Sequence, residues 1–116
     1  MSVYNFTPHP VVIKLPGGDL IIEPSGITVR LNESLVPAGQ IELAGHPVDI
    51  LKRELGDVVF VPAMPELEAG DIVIVSSLVA PALKLQRPEL QVFVPGEAVR
   101  DEKGNIIGVK NLFIIE

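Results

Sequence analysis

Apolar and polar residues alternate along much of this chain, in short runs cut by proline and glycine. In residues 27–31, Ile27, Val29 and Leu31 share one parity while Thr28 and Arg30 share the other. That is the pattern of a half-buried strand. Residues 10–15 and 20–23 read as two more strands, joined by a turn at Pro16-Gly17-Gly18-Asp19. Pro24-Ser25-Gly26 then turns the chain into 27–31, so the three predict a meander. Residues 40–44 read as a further short strand. Residues 57–61 and 71–75 are apolar on both parities, which predicts central strands covered on both faces, or barrel strands. Residues 91–94 and 112–115 read as strands. Residues 97–100 and 105–109 form a hairpin across Asp101-Glu102-Lys103-Gly104, where Gly104 accepts positive φ.

Two segments break this rhythm. In residues 47–55, Val48, Leu51 and Leu55 fit a helical stripe that Gly56 would end, with extended structure as the competing reading. Residues 78–86 predict one short helix. Ser76-Ser77 supply an N-cap, Pro81 lies near the first turn where proline is tolerated, and Pro88 stops the helix. Before 71–75, Gly70 suits a tight turn and Asp71 suits accepting the backbone amides around it.

The pattern predicts an all-β or β-rich fold, a small barrel or sandwich of short strands with one short α-helix at about 78–86. A chain of 116 residues fits a single domain over 1–116 and buries a core without staples. Aromatics are only 4% of residues, so that core must be Val, Ile and Leu, which suit strands. With no cysteine, disulfide scaffolds, thiolate metal sites and Cys nucleophiles are excluded. The chain is acidic, with net charge −6 and nine scattered Lys and Arg. This argues against a phosphate-backbone binder. No apolar run approaches the ~20 residues of a membrane helix. Residues 1–5 lack the basic-then-apolar order of a signal peptide, so the expected location is the cytoplasm.

Candidate chemistry concentrates near the N-terminus. Asn5, Thr7 and His9 are spaced by two, so in an extended run they share a face. Pro8 and Pro10 favour extension, and Val11, Ile13 and Leu15 continue the same parity. Such a triplet lines a pocket mouth, or else caps the fold by bonding nearby backbone groups. His46, in Gly45-His46-Pro47, reads as a turn residue, and two histidines without ligand spacing predict no metal site. Ser76 with His9 and Asp101 is an inventory for hydrolysis or transfer, but Ile74-Val75-Ser76-Ser77-Leu78 lacks the Gly-x-Ser-x-Gly elbow. Arg100 is a candidate partner for an anionic ligand.

The series Asn5-x-Thr7-Pro8-His9, Pro24-Ser25-Gly26, Val75-Ser76 with Leu78-Val79-Ala80, Pro95-Gly96, and Val99-Arg100-Asp101 with Gly104 and Gly108 resembles a known pattern. It is that of an uncharacterised family of short bacterial and phage proteins opening with an Asn-Leu-Thr-Pro-His-like motif. The resemblance spans nearly the whole chain. Phe6 departs from it by replacing the usual Leu. Residues 49–54 look more helical than in relatives, and the resemblance tilts that segment to strand. It implies a phage or mobile-element setting and no mechanism. The leading expectation is a non-enzymatic binding or interaction protein with a small anionic or nucleotide-like ligand at Asn5, Thr7, His9, Ser76 and Arg100, and no cofactor. Apolar excess and open strand edges also point to a homodimer. The alternatives are a structural or assembly subunit, such as a virion component, and a small hydrolase or transferase using His9.

Overall fold

The computed structural model describes residues 2–63 and 65–116. Among them are ten strands and one helix. The β-rich expectation holds, in a sandwich-like form. The sheets stay open, so no barrel forms. The central sheet runs in the order β1 (Val3–Asn5), β6 (Ile72–Ile74), β7 (Gln91–Pro95), β10 (Leu112–Ile115). Its first three strands are parallel and β10 is antiparallel. The outer sheet has the order β3 (Gly18–Ile22), β2 (Val11–Leu15), β9 (Ile106–Val109), β8 (Ala98–Arg100). A separate two-stranded sheet pairs β4 (Thr28–Leu43) with β5 (His46–Val61).

Residues 71–75 are apolar on both parities because the central sheet is covered twice. Val73, Val75, Val92 and Val94 face a core shared with Val79, Ala80 and Leu83 of the helical segment, and with Val58 and Phe60 at the base of β5. Ile74 and Phe93 point the other way, against Val11 and Ile13 of β2. Val73, Ile74 and Val92 are wholly buried, and each such side chain contributes about 1.5–3 kcal/mol. Helix α1 (Ala80–Gln86) connects the parallel strands β6 and β7, as a parallel pair requires.

Several elements differ from the sequence expectation. The helix starts at Ala80 rather than 78, with Val79 as N-cap and no side-chain cap. Apolar Val79 is held instead by its burial, and its amide reaches the Ser76 carbonyl at 3.1 Å. The predicted meander also fails. β2 and β3 pair as expected, but residues 28–31 open β4 and pair with β5. The residues expected as separate short strands at 40–44 and 57–61, and the ambiguous stretch 47–55, all belong to this one hairpin of 16-residue strands. Ala44 (φ 50°) and Gly45 (φ 81°) make its tip, the positive-φ pair of a two-residue hairpin turn.

That hairpin leaves the body as an arm. The radius of gyration is 18.1 Å and the longest dimension 60 Å, whereas a compact chain of this length has a radius of about 13 Å. Only its base is buried. Val29 and Leu31 pair with Phe60 and Val58, and Phe60 meets Phe6 edge-on at 5.6 Å.

Asp71 acts as the sequence predicts. It is 2% exposed, and its carboxylate accepts the amides of Glu68 and Ser2, each at 2.9 Å. The Glu68 amide first and the Ser2 amide second hold its pKa below the ordinary 3.8. Its contribution is therefore complete above the unfolded value and is lost as pH falls through the lower folded value. Urea midpoints followed into acid should show this loss, and Asp71→Asn should flatten it. A second prediction concerns Gly96. A Cβ there would lie 2.6 Å from the Asn111 carbonyl oxygen, so Gly96→Ala should cost about 1–3 kcal/mol in the same assay.

Candidate functional site

The N-terminal triplet does not run straight. The chain bends at Thr7 to His9, so the three side chains do not continue the face of Val11, Ile13 and Leu15. Asn5 is the cause. At 1% exposure, its Nδ2 donates to the carbonyls of His9 and Ile22, both at 2.9 Å. Its Oδ1 accepts the Thr7 amide at 2.9 Å and the Thr7 hydroxyl at 2.6 Å. All four hydrogen-bonding positions of the amide are filled by the protein. Thr7 Oγ1 also lies 2.9 Å from the His9 carbonyl. Asn5 therefore ties the end of β1 to the end of β3, joining the central sheet to the outer one.

This bend throws the following residues over an open cleft of about 590 Å³. The cleft lies beyond the carboxyl ends of the parallel strands, where open parallel sheets place ligands. Thr7 and His9 follow β1, Ser76 and Ser77 follow β6, and Pro95 ends β7. The other wall is Val11 and Val12 of β2 with Ile107 and Gly108 of β9. Those two strands pair through Ile13 and Val109. A Cβ at Gly108 would lie 2.7 Å from the Val12 carbonyl oxygen, so glycine permits the close approach at the cleft floor.

Of the residues expected at a site, the cleft brings together Thr7, His9 and Ser76. Asn5 stands behind them as a brace, with no group left for a ligand. Arg100 stands apart on β8, donating to the Gly104 carbonyl at 2.7 Å. Asp101 is also elsewhere, its carboxylate accepting the amides of Lys103 and Asn105. The hydrolase inventory of His9, Ser76 and Asp101 is therefore not assembled. Among the described residues, the His9 imidazole and the hydroxyls of Ser76 and Ser77 have no hydrogen-bond partner in the protein, and no Lys, Arg, Asp or Glu lines the cleft.

The arm is a second candidate surface, which the sequence reading divided among separate elements. Eight of the 18 exposed large hydrophobics among the described residues lie on it. The strand register divides them between its faces. Ile41, Leu43, Val48, Ile50 and Val36 occupy one. Leu35, Leu51 and Leu55 occupy the other, which continues the core-facing side of the base. The signal was present in the alternation of 47–55, which fits a strand with two apolar faces as well as a helix.

The chain matches no family model, no curated protein and no solved structure. Among the described residues no helix is long and apolar enough to cross a membrane.

Asn5 gives the sharpest prediction for this region. Asn5→Ala should destabilise the fold by about 2–3 kcal/mol, because buried backbone groups lose their partners. Asn5→Asp is near-isosteric but turns a donor into an acceptor facing two carbonyls. Burial raises the pKa of such a carboxyl. Its penalty relative to wild type should be smallest in acid, where the carboxyl is neutral folded and unfolded, and should grow as pH rises. Chemical denaturation of both proteins across pH checks this.

Proposed function

We propose that this chain is a non-enzymatic interaction protein that assembles with copies of itself through the β4–β5 arm. The arm itself carries this reading. An isolated two-stranded hairpin is marginally stable in water, and this one exposes apolar side chains on both faces beyond its base. Exposed apolar side chains on both faces of an arm are consistent with a protein–protein contact. An assembly role fits such an arm, and the family resemblance implies a phage or mobile-element setting for it. Light scattering across a wide concentration range should find a homo-oligomer. Replacing residues 33–55 by a short Gly-rich turn should leave a folded monomer. A wild-type protein that is monomeric throughout would remove the reading.

The cleft supports a second reading as a ligand site. Its observation is the convergence of Thr7, His9 and Ser76 around a space within the usual size range for small-molecule pockets. The apolar walls and the lack of Lys or Arg favour a ring-bearing, nucleoside-like ligand over a multiply charged anion. A nucleoside should raise the melting temperature more than its triphosphate, and His9→Ala should abolish the shift. No shift with any nucleoside would count against it.

A further inference from the structure

We infer that two copies of this chain join edge to edge along β5, over Val48–Leu55, about a two-fold axis passing beside Leu51. The inference rests on the self-assembly reading and specifies its geometry.

The arm has two open edges. That of β4 is interrupted, because Pro37 lies in mid-strand and the register slips between Pro37 and Gln40. Proline has no N–H to give a neighbouring strand, and irregularities disrupt a ladder. The β5 edge is different. After Pro47 it runs through eight residues without proline, and its pairing with β4 shows no extra β5 residue until beyond Leu55. A regular strand with an unpaired edge is a template for another strand.

The charges choose the partner and the register. In an antiparallel pair related by a two-fold axis normal to the sheet, opposite residues share a face, so one residue must sit opposite itself. With Leu51 on the axis, Asp49 lies opposite the partner's Arg53, and Arg53 opposite the partner's Asp49. Ile50 lies opposite Lys52, and Val48 opposite Glu54. No like charges oppose one another. Moving the axis to Lys52 sets Lys52 against itself, and moving it to Arg53 sets Arg53 against itself. Moving it to Ile50 brings Asp49 against Leu51. Opposite-charge pairs directly across strands stabilise a sheet, and like charges destabilise it.

Within one chain it is the Asp49 half of this complementarity that is left without an opposite charge. The one partner of the Asp49 carboxylate among the described residues is the neutral Gln40 amide, at 2.7 Å. Arg53 reaches Glu33 at 3.0 Å across β4 while remaining exposed. A second copy supplies the cation that Asp49 lacks. It also converts two narrow ribbons into one four-stranded sheet, with Leu35, Leu51 and Leu55 of both copies on a common face.

Cysteine scanning tests this cleanly, because the native chain has no cysteine. Leu51→Cys should cross-link to a dimer with a short bis-maleimide at protein concentrations where light scattering finds an oligomer. Leu85→Cys, on an exposed helix position, should not. Arg53→Asp should weaken association roughly tenfold, and adding Asp49→Arg should restore it. An oligomer in which Leu51→Cys fails to cross-link, or in which the double variant is no tighter than Arg53→Asp, overturns the pairing and leaves self-assembly standing. A monomer at every concentration overturns both.

Discussion

The fold depends on a small parallel sheet that is buried on both faces. Val73 and Val92 project to one side and Ile74 and Phe93 to the other, so neither covering layer can be lost without exposing an apolar face. Such a sheet needs its coverings held in place. On one side the βαβ connection holds α1 against the sheet. On the other, the buried Asn5 amide bonds the end of β3 from the end of β1. An apolar contact alone would let the layers slide. The directed bond from Asn5 to the Ile22 carbonyl fixes their relation, and its three other bonds hold the turn beside it.

The same constraint creates the cleft. Because Asn5 closes a turn on Thr7 and His9, the chain folds back over the carboxyl ends of β1, β6 and β7. The residues with free polar groups there, His9, Ser76 and Ser77, are those that the sheet's geometry delivers to one rim. Asn5, one of the residues expected to contact a ligand, is instead the one whose bonding is complete. A buried amide with every position filled is a structural element, whereas an exposed imidazole over an apolar floor remains available.

The arm obeys a different logic. Its base belongs to the core through Val29, Leu31, Val58 and Phe60. Beyond the base nothing in the chain covers it. The exposed leucines, isoleucines and valines give it affinity without direction. The alternation of Asp49, Leu51 and Arg53 along one edge gives it direction, since those charges are mirrored about the central leucine. Proline and the register slip on β4 close off the competing edge.

By itself, the sequence determined what local chemistry determines. The hairpin at 97–109 with its glycine turn, the terminal strand at 112–115, the burial of 71–75 and the Asp71 turn all rest on contacts between near neighbours or on strand parity. The clustering of Thr7, His9 and Ser76 was also legible as a place to look, though only the bend at Asn5 decided that Asn5 braces it and that Arg100 lies outside it. What the tertiary structure decided is which strand pairs with which. Parity shows that a strand has two apolar faces but not what covers them. The parallel pairing of β6 with β7, the fusion of four short segments into one arm, and the refusal of the sheets to close into a barrel depend on partners up to tens of residues away, and no local preference encodes those distances.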